Sequence, residues 1–220
     1  MRRLVLPAAF VALLAVQVSP SVTLAWQQTR RLDEGRPVRL AVETRDPRDL
    51  LRGEYSVLTY EIGRLQGIGA AAPPPGCDLE VRETCRLESG RVVHVRLVPD
   101  AEGVHRAGEV LFDPPGGDDL FITGRLGAAT LVRRGASLSV RSRANPRTTE
   151  AIVCERPVCL DGDVRYGIET WYGPQGVPAR LDRAARKDIL VAARLASDGT
   201  AVIDAITLGG QPFARTARLW

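Results

Sequence analysis

The chain opens on a run of side chains that avoids charge: after Met1-Arg2-Arg3, Leu4 to Trp26 contains no Asp, Glu, Lys or Arg. A helix needs about 20 largely apolar residues to cross a bilayer, so this run is long enough. It is uneven, strongly apolar over Leu4–Val16 and weakened by Gln17, Ser19, Pro20, Ser21 and Thr23 thereafter. Residues 1–26 therefore read as a retained membrane anchor, the preferred alternative, or as a signal segment cut after Thr23-Leu24-Ala25. In both cases residues 27–220 are carried out of the cytoplasm, either on a single-pass anchor or as a secreted domain. Arg30, Arg31 and Arg36 follow the run, so the basic residues on its two sides do not fix its orientation.

Beyond residue 26 apolar and polar positions alternate with a period of two, the signature of half-buried strands. The pattern predicts strands at Pro37–Glu43, Glu54–Ile62, Arg91–Val98, Val104–Phe112, Leu120–Leu126, Ser137–Arg143, Val164–Thr170, Ile189–Leu195 and Ala201–Leu208. Turn-forming runs separate them: Pro73-Pro74-Pro75-Gly76, Pro114-Pro115-Gly116-Gly117 and Ser197-Asp198-Gly199. Only one further stretch, residues 180–187, has helical character. Many short strands between such turns predict a mainly β fold, an antiparallel sandwich or open barrel, with an N-terminal apolar helix and one short helix near 180–187. Residues 66–89 read as a long loop or insertion. With 220 residues and no linker-like segment, 27–220 is one domain.

Charge adds an exclusion. The net charge is +4, but Arg48 and Arg52 lie among Asp46, Asp49 and Glu54, and Arg183 and Arg186 beside Asp182 and Asp188. Interspersed charge with few aromatics is not the basic, stacking surface of a nucleic-acid binder. Lys187 is the one lysine, in a mixed-charge solvated stretch, so burial does not lower its pKa for catalysis.

The four cysteines fall as two local pairs, Cys77/Cys85 and Cys154/Cys159. Exported domains commonly use such pairs as disulfides, and neighbour pairing is the preferred connectivity. Free thiols and a four-thiolate zinc site are the alternatives, although the spacing within the first pair is wide for zinc. His94 and His105 are the two histidines. If Val98 pairs with Val104, they leave opposite faces of one hairpin and cannot share a metal; a one-residue shift would reunite them. No metal site, cofactor loop of phosphate-cradling type or Gly-x-Ser-x-Gly nucleophile elbow is present in the sequence, and no catalytic residue is assigned.

The most distinctive stretch is Asp46–Tyr60, a charged turn feeding a strand on which Glu54, Ser56, Leu58, Tyr60 and Ile62 share one face. At Gly53, Tyr55, Leu58 and Tyr60 the chain resembles the GDYXXLXY family of bacterial proteins, with Glu54 in place of the motif's aspartate. A second likeness lies in Tyr166-Gly167-Ile168-Glu169-Thr170-Trp171-Tyr172, followed by Gly176. The resemblance implies a membrane-anchored domain of uncharacterised activity that works with a multi-spanning membrane protein, and it supplies no catalytic residues.

Arg48, Arg52, Glu54, Tyr60, Tyr166 and Glu169 would line one polar groove that receives a ligand or a partner strand. The competing account is structural: arginine–carboxylate pairing and tyrosine packing fix a turn between adjacent strands. The sequence favours a non-enzymatic accessory or binding module of the envelope. Its alternatives are an envelope hydrolase using Glu54 or Glu169, and a scaffold pairing an exposed strand edge with a membrane partner.

Overall fold

A computed structural model describes residues 2–42, 55–141, 148–185 and 188–216. A long helix, α1 (Arg2–Glu34), leads into strand β1 (Arg36–Ala41). At 1.5 Å per residue such a helix is about 50 Å long. Pro20 lies inside it and lacks the N–H that would bond the Val16 carbonyl; the Ser19 hydroxyl donates to that carbonyl instead, at 3.1 Å. The C-terminal end of α1 packs on the body, through buried Thr29 and Leu32.

The remaining elements are β2 (Tyr55–Val57), β3 (Arg64–Ala70), β4 (Thr84–Leu87), β5 (Val92–Pro99), β6 (His105–Leu111) and β7 (Phe121–Arg133). They continue with β8 (Ser137–Arg141), β9 (Thr149–Val153), β10 (Val158–Arg165), β11 (Thr170–Tyr172) and a short helix α2 (Val177–Asp182). The last three are β12 (Ile189–Leu195), β13 (Ala201–Leu208) and β14 (Gln211–Arg215).

Two larger sheets form. One runs β1-β12-β13-β14; the other runs β10-β3-β6-β5-β7-β4 and closes on itself because β10 also pairs with β7. Five strands thus make a small barrel, and β4 extends its β7 edge. Closure at this size leaves an interior that side chains fill, here Leu65, Val93, Val95, Val110, Ile122, Leu131 and Leu160, all buried. One continuous apolar cluster joins these to Val38, Leu40, Val191 and Ile206 of the open sheet. The disulfides Cys77–Cys85 and Cys154–Cys159 are formed, as the neighbour pairing expected. By the loop-closure model each short ring contributes about 2–3 kcal/mol.

The open sheet is fastened to the barrel at the β12–β13 turn. Thr123 of β7 donates its N–H to the Gly199 carbonyl at 2.9 Å and its hydroxyl to the Asp198 carbonyl at 2.7 Å. Gly199 has φ +76°, and a Cβ there would stand 2.4 Å from the Thr123 hydroxyl. Glycine therefore serves both the turn and the contact.

Several expectations need correction. The 66–89 stretch is not one loop, since most of β3 and all of β4 lie within it. The β3 segment was concealed by Gly67 and Gly69, poor strand formers that distant β10 and β6 hold in place. The β3–β6 pair is parallel, so the barrel is not wholly antiparallel. The short helix expected near 180–187 is formed, at Val177–Asp182. The expected strand Val164–Thr170 is cut by a turn at Tyr166–Glu169, and Glu54–Ile62 shortens to β2 followed by a 3-10 turn at Glu61–Gly63. β9 and β14 had no clear alternation to reveal them. Apart from these corrections, no helix among the described residues is long and apolar enough to cross a membrane.

Candidate functional site

The two distinctive sequence blocks meet. β2 and β11 pair antiparallel, Ser56 opposite Trp171 and Tyr55 opposite Tyr172, and the Leu58 N–H donates to the Glu169 carbonyl at 2.7 Å. Two tyrosines then clasp the blocks reciprocally. The Tyr60 hydroxyl donates to the Ile168 carbonyl at 2.9 Å, and the Tyr166 hydroxyl donates to the Ile62 carbonyl at 2.6 Å. Both rings are buried. Burial, and secondarily the charge of Glu169, push both phenols well above their ordinary pKa, so they remain donors.

Glu169 organises the turn that presents Tyr166. Its two carboxylate oxygens accept the N–H groups of Tyr166 and Gly167, which would otherwise face no strand. Of the six residues expected to line a groove, the structure brings Tyr60, Tyr166 and Glu169 together. Arg48, Arg52 and Glu54 lie outside the described residues.

An open cleft of about 850 Å³ lies against the second block. Thr170, Trp171 and Tyr172 form one wall, Val202, Ile203 and Ala201 of β13 with Phe213 and Arg215 of β14 form another, and Gln28 and Arg31 of α1 reach its rim. Tyr166 borders the cleft and Tyr60 does not. The sequence reading missed this second wall, because β14 and the rim of α1 carry no local motif. Among its described lining residues the cleft has two arginines, Arg31 and Arg215, and no carboxylate. A comparable hollow of about 880 Å³ beneath Pro73–Glu80 contains neither block.

The histidines lie apart from the cleft and do not follow the register considered above. The observed hairpin pairs Pro99 with His105 and His94 with Leu111, with an irregularity between Arg96 and Leu97. His94 Nδ1 is 2.9 Å from the Thr123 hydroxyl, whose one proton goes to the Asp198 carbonyl, so Nδ1 carries a hydrogen and donates. His105 has the opposite tautomer, its Nδ1 accepting the Arg39 N–H at 3.2 Å from the otherwise open edge of β1. Among the described residues no three His, Cys, Asp or Glu side chains are grouped to hold a metal.

Burial pushes both imidazoles below their ordinary pKa; Asp113 opposes this at His94, and Asp100 at His105. A group with a depressed folded pKa of this cationic type leaves stability unchanged above about pH 6.5 and removes it as pH falls below that value. Denaturant midpoints should therefore fall between pH 7 and pH 5. His105→Asn, which keeps an acceptor where Nδ1 stands, should flatten part of that fall, and an unchanged pH profile would refute the assignment.

No curated protein matches the chain, and no solved structure does. The model of the GDYXXLXY protein family matches residues 17–206, a span that contains both sequence blocks, the clasp between them and most of the cleft. The chain belongs to the GDYXXLXY family.

Proposed function

We propose that the protein is a membrane-anchored accessory domain of the bacterial envelope, non-enzymatic, held outside the cytoplasm by α1 and partnering a membrane protein. The observation that carries this reading is the state of α1. Leu13, Val16, Val18, Val22 and Leu24 are exposed, and the sequence there is free of charge. Water is an unfavourable neighbour for so much apolar surface, and lipid is a favourable one.

The polar atoms of the helix support the same reading. The hydroxyls of Ser19 and Thr23 donate to carbonyls of α1 itself, at 3.1 and 2.8 Å. In hydrocarbon, internal satisfaction of this kind is what makes hydroxyls and a proline tolerable. Trp26, with the Arg30 guanidinium 5.0 Å from its ring, stands where an interfacial anchor belongs. The two disulfides suit an oxidising compartment.

The hydrolase alternative gains no support from Glu169, whose two carboxylate oxygens are occupied by backbone N–H groups. The test is fractionation of the full chain. It should remain with membranes after an alkaline carbonate wash, and a phosphatase fused after Trp220 should be active. An arginine at the centre of a membrane helix costs about 2.5–3.5 kcal/mol. Val16→Arg with Val18→Arg should therefore release the protein into the soluble fraction while leaving its unfolding midpoint unchanged. A mature N-terminus at Trp26 would instead identify the secreted form, and a reporter active only in the cytosol would end the proposal.

A further inference from the structure

The backbone around the cleft has an unfilled pattern. In an antiparallel ladder, opposed residues alternate between pairs that bond each other and pairs whose N–H and C=O groups point outward. The Leu58 N–H donates to the Glu169 carbonyl, which marks theirs as a bonded position, and the register places Thr170 opposite Val57, Trp171 opposite Ser56 and Tyr172 opposite Tyr55. Trp171 therefore bonds β2, while Thr170 and Tyr172 direct their N–H and C=O groups away from it.

The same count applies to β14. Thr216 donates to the Asp204 carbonyl and Arg215 stands opposite Ala205, so the Arg215 backbone points away from β13. Neither β11 nor β14 has a strand on its other side among the described residues. The open sheet's opposite edge differs, because the Arg39 N–H of β1 is taken by His105 and Val42 bridges Tyr60.

Both open edges border the cleft, whose walls supply what an added strand needs besides hydrogen bonds. Tyr172 of the cleft wall stands exposed. The charged lining is wholly basic. Arg215 lies 3.6 Å from Asp204 with its side chain 68% exposed, and Arg31 faces Asp198; a guanidinium has five donors, so one carboxylate does not exhaust either.

We infer that this cleft receives an extended segment of a partner protein, bearing carboxylates, which adds as a strand to the open edge of β11 beneath Arg31 and Arg215. Backbone pairing supplies affinity in this mode, and pockets for alternate side chains supply selectivity. A phospholipid headgroup would satisfy the arginines and could accept one N–H, but it supplies no row of donors and acceptors at strand spacing for both Thr170 and Tyr172. The inference rests on the accessory reading above, which fractionation tests separately.

The experiment uses the full chain in a neutral detergent micelle with isotope-edited NMR. The probe is a synthetic, end-capped heptapeptide of alternating valine and threonine with glutamate at both ends. Saturable binding should shift the Thr170 and Tyr172 amides and slow their hydrogen exchange, leaving the Trp171 amide, already bonded to Ser56, little changed. Replacing the glutamates by lysines, or Arg215→Glu in the protein, should weaken binding about tenfold or more, as loss of charge-assisted bonds requires. Arg215→Lys should retain most of the affinity.

A peptide methylated on alternate backbone nitrogens should not bind. Equal binding by the methylated peptide, protection of the same amides by phosphatidylglycerol alone, or no saturation by the acidic peptide at millimolar concentration would each overturn the inference. These outcomes are independent of whether α1 anchors the chain.

Discussion

Tyr60→Phe and Tyr166→Phe should each lower unfolding free energy by about 1–3 kcal/mol, because each leaves a carbonyl inside the protein without its donor. The hydroxyls bond Ile168 and Ile62 respectively, so each substitution loosens one arm of a clasp whose two arms join the same pair of segments. The double variant should then deviate from additivity by 0.5 kcal/mol or more, about the size found for residues sharing one network. Alkaline pH gives a readout that a packing defect alone would not move. Both phenols are held protonated by burial and by the charge of Glu169. With a folded pKa above the unfolded value of about 10, each contributes stability that is complete below pH 10 and lost as pH rises further.

The loss should approach about 1.4 kcal/mol per pH unit for each tyrosine, and the double Phe variant should abolish that steepening. Glu169→Gln belongs to the same test. An amide has one acceptor oxygen and one donor group, whereas the Tyr166 and Gly167 N–H groups require two acceptors. That variant should lose about 1–3 kcal/mol. Native-like melting of all three single variants and of the double would show that the clasp is incidental to the fold.

The clasp also shows what the sequence could and could not disclose. In the first block the two-residue alternation is honoured in burial: Ser56, Leu58, Tyr60 and Ile62 are all buried, while Val57 is exposed. Up to Tyr60 this holds although regular pairing stops at Val57, because extended backbone alternates its side chains whether or not a neighbour bonds it; Ile62 is buried from the 3-10 turn instead. In the second block the same alternation misled. Val164, Tyr166 and Ile168 are all buried, yet they straddle a turn, since a side chain, Glu169, supplies the acceptors that a neighbouring strand would have supplied.

The cleft was less legible still. Its aromatic wall belongs to the recognisable block, but Arg31 follows the apolar run like any flanking arginine, and Phe213 and Arg215 sit in a strand with no clean alternation. What makes them neighbours is the docking of α1 and β14 around β12 and β13. That arrangement is decided by the apolar face of the whole sheet and leaves no mark at the positions it brings together. The barrel's parallel pair is invisible for a related reason: β3 meets β6 about forty residues later in the chain, across all of β4 and β5.

Gly162→Ala should be the most damaging single substitution in the barrel, lowering stability by about 3 kcal/mol or more, at the upper end of overpacking costs. β10 is the strand that closes the barrel, pairing β3 on one side and β7 on the other. Its register shifts against both neighbours at Gly162, between Leu160 and Gly162 on the β3 side and between Gly162 and Val164 on the β7 side. A Cβ at that point would lie 2.5 Å from the Ala129 Cβ and 2.8 Å from the Ala128 carbonyl oxygen. Part of the obstruction is backbone, which cannot rotate aside as a side chain can. The entropy that alanine removes from the unfolded chain, about 0.4–1 kcal/mol, is too small to compensate.

The consequence extends to the site, because Tyr166 follows β10 immediately and its ring depends on where that strand ends. In denaturant the midpoint should drop at unchanged slope, and the Tyr166 contribution to the alkaline transition should weaken with it. Ala129→Gly in the same background should restore only part of the loss, since the Ala128 carbonyl remains. Gly116→Ala, at a loop position where a Cβ meets nothing within 4 Å, is the matched control and should leave the midpoint unchanged. Equal midpoints for the two glycine variants would mean that β10 does not cross its neighbours as tightly as the barrel requires.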